Sequence, residues 1–236
     1  MTNNMNTVAV RLAAVRRRLR EAEDGAGRPA DSVTLLAVSK TFPAAMVRAC
    51  AEAGQTCFGE SYVQEAVDKI AALSDLPLEW HFIGPLQSNK TRAVAENFHW
   101  VHSIDRLKIA ERLSQQRPVH LPPLQVCLQV NTSGEATKSG VGFADLPALA
   151  AAVRQLPRLH LRGLMTIPAP GADPGEQRPP FRALREAFDA LNAQGYALDT
   201  LSMGMSDDLE AAVAEGATMV RVGSAIFGTR DYGGKE

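Results

Sequence analysis

Two stretches far apart in the sequence decide the fold, residues 33–40 (VTLLAVSK) and residues 218–228 (TMVRVGSAIFG). Each contains a short run of apolar and β-branched residues, which predicts a buried strand. The first run ends at Lys40, and the second leads through Gly223 into a short predicted helix at 224–227. A strand that passes directly into a helical segment is the repeating unit of α/β folds.

The same alternation of strand and helix continues along the whole chain and predicts a (β/α)8, or TIM, barrel of the α/β class. Strands are predicted at 33–39, 56–59, 79–84, 100–104, 124–131, 159–167, 200–204 and 218–223. Helices are predicted at 44–53, 61–73, 90–97, 106–115, 146–155, 181–194, 207–215 and 224–227, with an extra N-terminal helix at 7–22.

We expect residues 1–236 to form one domain, in which residues 169–180 (APGADPGEQRPP) are a loop between a strand and a helix. The alternation also permits a doubly wound open sheet, but no G-x-G-x-x-G motif follows the first predicted strand. Residues 8–20 are rich in arginine and resemble a mitochondrial presequence. The helical spacing of their apolar residues nevertheless favours packing on a core.

The composition argues against several classes of partner. The chain carries 25 basic and 26 acidic side chains, a net charge of −1, so no global field attracts nucleic acid or an anionic membrane. No apolar run is long enough to span a bilayer. Cys50, Cys57 and Cys127 show no metal-ligand spacing with the histidines and indicate a reducing, cytoplasmic environment.

Lys40 is the first candidate for chemistry, because TIM barrels place their functional groups at the carboxyl ends of the strands. An amine at this rim can lose its proton through partial burial and neighbouring cations. The neutral amine can then form an imine with an aldehyde. A solvated lysine at a strand end is the alternative, but the strand pattern directs this side chain toward the barrel mouth.

The loops after the seventh and eighth strands predict a phosphate site, which barrels commonly build there with a short extra helix. Ser202, Ser206 and Ser224 can supply hydroxyl groups, and Gly223 allows a close backbone approach. Ser206 can equally be a helix N-cap before Asp207. A phosphate site beside an imine-forming lysine favours pyridoxal 5'-phosphate (PLP) as the cofactor.

Arg221 precedes the phosphate loop and is predicted to reach the pyridine nitrogen of that cofactor; an ion pair at the barrel rim is the alternative. Its permanent charge would oppose protonation of the nitrogen and weaken the electron sink that PLP enzymes exploit. Lys138, in the loop after the fifth strand, is a second amine that either assists Lys40 or is simply solvated. His81, His99 and His102 are expected to be packed or hydrogen-bonded strand residues without a catalytic role.

The motifs together resemble those of the pyridoxal phosphate homeostasis proteins, the YggS/PROSC family, which is related to the barrel domain of alanine racemases. The resemblance extends over nearly the whole chain and rests on LLAVSK at 35–40, FGESYVQEA at 58–66, WHFIGPLQSNK at 80–90, VNTSGEATKSG at 130–140, GLMTI at 163–167 and SMGMSDDLEAAVAEGATMVRVGSAIFG at 202–228.

The resemblance implies a PLP-binding barrel that holds the cofactor as a Schiff base on Lys40, with Arg221 at the ring nitrogen and no established catalysis. It also implies that the phosphate lies at Ser202, Ser206, Gly223 and Ser224. One departure is Ser61, where the family usually has asparagine, which puts any contact between that position and the ring in doubt.

Three functions are therefore open: a PLP carrier in vitamin B6 homeostasis, a small fold-type III amino acid racemase, and an interaction protein that senses PLP. A racemase needs proton-transferring groups on both faces of its substrate, and Tyr62, Tyr196 and Tyr232 are not evident second bases. We expect the carrier, as a non-enzymatic monomer that makes transient contact with PLP-requiring apoenzymes.

Overall fold

The computed structural model of the protein describes residues 2–134, 139–169, 171 and 173–229. Eight parallel strands follow one another in sequence order around a closed barrel, which confirms the predicted TIM-barrel fold. The strands are β1 (Thr34–Val38), β2 (Cys57–Glu60), β3 (Glu79–Phe82), β4 (Trp100–Ile104), β5 (Leu124–Gln129), β6 (Leu159–Met165), β7 (Thr200–Ser202) and β8 (Met219–Val222).

The helices lie outside the barrel and alternate with the strands. They are α1 (Thr2–Gly25), α2 (Ala44–Glu52), α3 (Val63–Ala72), α4 (Thr91–Asn97), α5 (Leu107–Gln116), α6 (Leu146–Arg154), α7 (Pro174–Ala193), α8 (Leu209–Ala214) and α9 (Ser224–Phe227). In the described part of the chain, no helix is both long and apolar enough to cross a membrane.

The extra N-terminal helix α1 packs on the barrel through the apolar residues that its periodicity singled out. Val8, Leu12, Val15 and Leu19 are all at most 5% exposed, as expected for one face of an amphipathic helix. Arg18 extends this packing, because its Nη1 donates a 2.6 Å hydrogen bond to the carbonyl oxygen of Ser206. The helix thus contacts a loop at the carboxyl end of the barrel.

Helix α7 corrects the prediction that residues 169–180 form a loop. The helix begins at Pro174, and Asp173 is its N-cap, whose Oδ1 accepts hydrogen bonds from the backbone N–H groups of Gly175 and Glu176. Proline is well suited to the first position of a helix because the N–H group it lacks would be unpaired there. The prolines at 179 and 180 lie inside the helix, where the sequence pattern had indicated a break.

The barrel interior is partly polar. His81, His102 and Ser202 are fully buried and Arg221 is 3% exposed. His102 on β4 contacts Ser202 on β7, two strands that are not neighbours in the sheet, so this contact crosses the interior. Most of the apolar core lies instead between the strands and the surrounding helices.

Candidate functional site

A cavity of about 190 Å³ opens at the carboxyl ends of the strands, where barrels of this class carry their functional groups. Five of the six residues predicted for the cofactor site line it: Lys40, Ser206, Arg221, Gly223 and Ser224. The other residues that line it are Val38, Ser61, Ile83, Ile167, Met205 and Asp207.

Lys40 is half-buried and follows β1 on a segment that is held from both sides. The ammonium of Lys69 on α3 donates a 2.7 Å hydrogen bond to the carbonyl oxygen of Ser39. The backbone N–H of Thr41 donates a 2.6 Å hydrogen bond to Glu65, also on α3. Thr41 has φ of +70°, a strained conformation for a β-branched residue, which these contacts stabilise.

Glu60 at the end of β2 completes this support. Its Oε1 accepts a 2.7 Å hydrogen bond from the hydroxyl of Ser39 and lies 2.6 Å from the ammonium of Lys69. Burial raises the pKa of the Glu60 carboxyl group, while the charge of Lys69 opposes that rise. In the described part of the chain, the Oε2 atom of Glu60 is buried without a hydrogen-bond partner. The sequence pattern gives no signal for this cluster, which joins a strand to a helix.

The predicted phosphate loops lie side by side. The hydroxyl of Ser224 lies 3.3 Å from that of Ser206, so two hydroxyl groups from different loops meet at the cavity wall. Ser206 is not a helix cap, because α8 begins after Asp208, whose Oδ1 accepts a 2.5 Å hydrogen bond from the N–H of Met205. Gly204 supports the turn with a φ of +94°, which glycine adopts without strain.

Arg221 extends from β8 beneath the cavity and is fixed by three hydrogen bonds. Its Nη1 donates to the carbonyl oxygen and the hydroxyl of Ser202, at 2.6 and 2.9 Å, and its Nη2 donates to the carbonyl oxygen of Thr166 at 2.8 Å. Burial lowers the pKa of Arg221 to about 10, so the guanidinium remains charged near neutral pH. The alternative was an ion pair at the barrel rim with Glu60 or an aspartate; the structure pairs Glu60 with Lys69 instead.

Ser202 is the sixth predicted site residue, and it is not among the residues that line the cavity. Its hydroxyl lies 2.9 Å from Nη1 of Arg221 and 2.8 Å from Nδ1 of His102. The structure thus turns this hydroxyl toward Arg221, and its contact with a phosphate stays a prediction.

A chain of buried polar groups continues from Ser202 through the barrel. Nε2 of His102 lies 2.9 Å from Nδ1 of His81, and Nε2 of His81 lies 2.8 Å from Oε1 of Glu79. Burial lowers the pKa of both histidines, which are therefore neutral at pH 7. The two histidines were expected to be packed or hydrogen-bonded. Their placement on the same face of neighbouring strands is what brings them together.

Ser61 and Lys138 were also singled out from the sequence, and only Ser61 lies among the described residues. Ser61 lines the cavity. Its backbone packs against Gly84 so closely that a Cβ atom added to Gly84 would overlap the Ser61 carbonyl oxygen. Lys138 lies outside the described residues, and its suggested role stays a prediction.

Fold and site together define a (β/α)8 barrel whose mouth places a lysine, an arginine and two serine hydroxyls around one cavity. The family model described as "Alanine racemase, N-terminal domain" matches residues 10–231. The pyridoxal phosphate homeostasis protein of Pseudomonas aeruginosa is 64% identical over 97% of this chain and 98% of that protein. The protein of the same name from Escherichia coli K12 is 56% identical over 98% of this chain and all of that protein.

A solved structure of PipY from Synechococcus elongatus, with PLP bound, has a TM-score of 0.82 at 41% identity and covers 94% of this chain and all of that chain. An alanine racemase from Corynebacterium glutamicum, at 19% identity and a TM-score of 0.72, shares the fold alone and is covered over 64% of its length. The chain therefore belongs to the family of pyridoxal phosphate homeostasis proteins, within the alanine racemase N-terminal domain group.

Proposed function

We propose that this protein binds pyridoxal 5'-phosphate reversibly at the barrel mouth and serves in intracellular PLP homeostasis. One observation carries the proposal: Lys40, Arg221 and the hydroxyls of Ser206 and Ser224 line a single cavity. An aldehyde, a ring nitrogen and a phosphate each find a chemically matched group there. The names of the relatives and the PLP-bound PipY structure support the same conclusion.

Lys40 supplies the covalent link in this proposal. With PLP bound, the unprotonated Lys40 amine would form a C=N bond with the aldehyde carbon and the aldehyde oxygen would leave as water. The reaction is reversible, which suits a protein that takes up and releases its ligand. The support from Glu60, Lys69 and Glu65 holds the Lys40 segment so that its amine stays at the cavity wall.

The phosphate contacts are proposed for the loops after β7 and β8. The Ser206 and Ser224 hydroxyls can each donate to a phosphate oxygen, and Gly223 leaves its backbone open to the ligand. We retain Ser202 as a proposed residue of the cofactor site, on which it acts through its hydrogen bond with Arg221.

Arg221 supports a carrier rather than an enzyme. When bound, the pyridine ring of PLP is an electron sink that works best with a protonated nitrogen. A guanidinium beside that nitrogen opposes its protonation because two positive charges repel each other. Among the described residues, no tyrosine lines the cavity to serve as a second acid-base group. The racemase alternative has no comparable support.

We further propose that residues 1–236 are one PLP-binding domain that acts as a monomer in the cytoplasm, with transient contacts to PLP-requiring apoenzymes. The three cysteines support a reducing compartment, since all are free thiols and two of them are buried.

An absorption and labelling experiment tests the PLP site. The protein incubated with PLP is reduced with borohydride, which converts the C=N bond to a stable secondary amine, and the labelled peptide is mapped. Label on Lys40, and loss of the visible absorption band in Lys40→Ala, are expected. Lys90→Ala is the matched control, because Lys90 is an exposed lysine at the start of α4, and it should label normally. Main labelling of any other lysine would overturn the assignment.

A further inference from the structure

A continuous hydrogen-bonded chain passes through the barrel from the cavity to the opposite end. It connects Arg221, Ser202, His102, His81 and Glu79 through four contacts of 2.8 to 2.9 Å. The three central residues are fully buried, whereas the Glu79 side chain, at the first residue of β3, is 45% exposed. The chain thus links the proposed cofactor site to the amino-terminal end of the barrel.

The two ends of the chain fix the direction of every hydrogen bond. Arg221 can only donate and an ionised Glu79 can only accept. His81 therefore donates from Nε2 to Glu79, which leaves its Nδ1 as an acceptor. His102 then donates from Nε2 to His81, and its own Nδ1 accepts the proton of the Ser202 hydroxyl. Both neutral imidazoles are thereby held in the Nε2–H tautomer.

This direction determines what Ser202 offers to Arg221. Because the Ser202 hydroxyl proton points to His102, a lone pair of its oxygen faces the guanidinium. The Nη1 atom then has two acceptors on the same residue, the hydroxyl oxygen and the carbonyl oxygen. The hydrogen bond between Nη2 and Thr166 fixes the plane of the guanidinium. These hydrogen bonds hold Nη1 and Nη2, and the same side chain lines the cavity.

We propose that Glu79, His81 and His102 are positioning residues that hold Ser202 as an acceptor and thereby aim the Arg221 guanidinium at a ring nitrogen in the cavity. The proposal rests on the proposed function, since the ring nitrogen belongs to PLP. None of the three residues touches the ligand. Their effect reaches the cavity through Ser202 alone, and it begins at a carboxylate on the far end of the barrel.

The tautomers can be measured without any ligand. Nitrogen-15 NMR of the ligand-free protein should show both His81 and His102 as neutral Nε2–H tautomers. Glu79→Gln tests the origin of the direction, because a carboxamide can donate as well as accept. Glu79 is partly exposed, so the fold tolerates this change, and mixed tautomers are expected. An Nδ1–H tautomer of His102 in the wild type would overturn the proposal.

Measurements of PLP affinity test whether the hydrogen-bonded chain from Glu79 to Arg221 affects ligand binding in the cavity. Ser202→Ala should weaken PLP binding about 3- to 10-fold, the effect of one lost hydrogen bond of ordinary strength. The matched control is Ser103→Ala, because Ser103 is a buried serine on β4 whose hydroxyl has no partner in the described part of the chain. That control should bind PLP like the wild type.

His102 variants separate positioning from a simple loss of packing. His102→Leu removes the acceptor for the Ser202 proton and should weaken PLP binding about 3- to 10-fold. His102→Asn places a carbonyl oxygen near the former Nδ1 position and should recover most of that loss. Equal binding by His102→Leu and the wild type would refute the proposal. Failure of the wild type itself to bind PLP would refute the proposed function. The histidine tautomers, measured without ligand, would still test the direction of the hydrogen bonds from Glu79 to Ser202.

Discussion

The ammonium of Lys69 lies 2.6 Å from Oε1 of Glu60, and both side chains are almost completely buried beside the segment that carries Lys40. A buried ion pair is weak evidence for stability, because removing two charges from water offsets their attraction. Its more evident effect here is on conformation. Through Ser39, the pair fixes the chain immediately before Lys40, while Glu65 fixes Thr41 immediately after it.

Lys69→Met should therefore destabilise the protein strongly. The substitution leaves the Glu60 carboxylate buried without its cation, a situation that typically costs about 3–5 kcal/mol. Urea unfolding at neutral pH measures the free energy directly. The double variant Lys69→Met, Glu60→Gln removes both charges and should recover part of the loss. A double variant that is no more stable than Lys69→Met would contradict the explanation.

The same substitution should slow the reaction of Lys40 with PLP, because the segment then loses the hydrogen bond from Lys69 to the Ser39 carbonyl oxygen. Stopped-flow absorbance measures the rate of band formation. Arg48→Gln is a suitable control, since the Arg48–Asp75 ion pair lies outside the barrel, between α2 and the turn after α3. Unchanged rates in Lys69→Met would show that the cluster has no role in presenting Lys40.

Acidification should destabilise the protein through His81 and His102. Burial lowers the pKa of both; Glu79 opposes this at His81, His99 adds to it there, and Arg221 adds to it at His102. As the pH falls below about 6.5, the unfolded chain binds protons that the native state does not. Stability is then lost, at up to about 1.4 kcal/mol per pH unit for each histidine.

Urea unfolding at about pH 7.5 and about pH 5.5 measures this loss. His102→Asn carries no titratable group at that position, so its stability should fall less between the two pH values. Glu79 also loses its contribution on acidification, but as a carboxyl group with a lowered pKa it does so at more acidic pH. The same loss in His102→Asn and the wild type would exclude His102 as a cause.

The strands could be predicted from sequence because each is a compact apolar run between polar or glycine residues. β4 (Trp100–Ile104) was predicted to the residue, and the other strands within a few residues of their ends. Helix α7 was missed at its start because Pro179 and Pro180 normally interrupt a helix. Asp173 followed by Pro174 is an N-cap followed by a first-turn proline, a signal that was present in the sequence.

The site was predicted where residues lie at strand ends and missed where they meet across the barrel. Lys40, Arg221 and Ser224 follow from the rule that strand ends carry the chemistry. The contact of Lys69 with Glu60 joins a helix to a strand, and that of His102 with Ser202 joins β4 to β7. Neither pair has the sequence separation of neighbours on one helix or one strand, so these contacts become visible only in the closed barrel.

Arg221→Glu should weaken PLP binding and shift the absorption of any complex that forms. A carboxylate at this position would face the carbonyl oxygens of Ser202 and Thr166, which now accept hydrogen bonds from the guanidinium. It would also favour a protonated ring nitrogen in place of an unprotonated one. Spectroscopic titration measures both effects, with Arg92→Gln as control, because the Arg92 side chain is 68% exposed on α4. Wild-type affinity and spectrum in Arg221→Glu would contradict the assigned contact.

The last prediction is that the PLP-bound protein has no appreciable racemase, transaminase or decarboxylase turnover. Each of these reactions needs an electron sink and well-placed proton transfer, and Arg221, in its proposed place beside the ring nitrogen, would weaken the sink. Tyr62 is 53% exposed at the start of α3, and Tyr196 packs against Arg154, so neither described tyrosine lines the cavity. An acid-base group typically contributes about 10²- to 10⁴-fold, so its absence leaves side reactions slow.

Deuterium exchange at the α-carbon of alanine and other amino acids, followed by chiral analysis, measures this turnover. The Lys40→Ala variant is the control for catalysis by free PLP, and the wild type should exceed it only slightly. Turnover of about one per second with a common amino acid, which is the scale of ordinary enzymes, would establish an enzyme if Lys40→Ala abolished it. That result would replace the carrier function with the racemase alternative or a related activity, because binding and releasing PLP does not require exchange of the α-hydrogen of an amino acid.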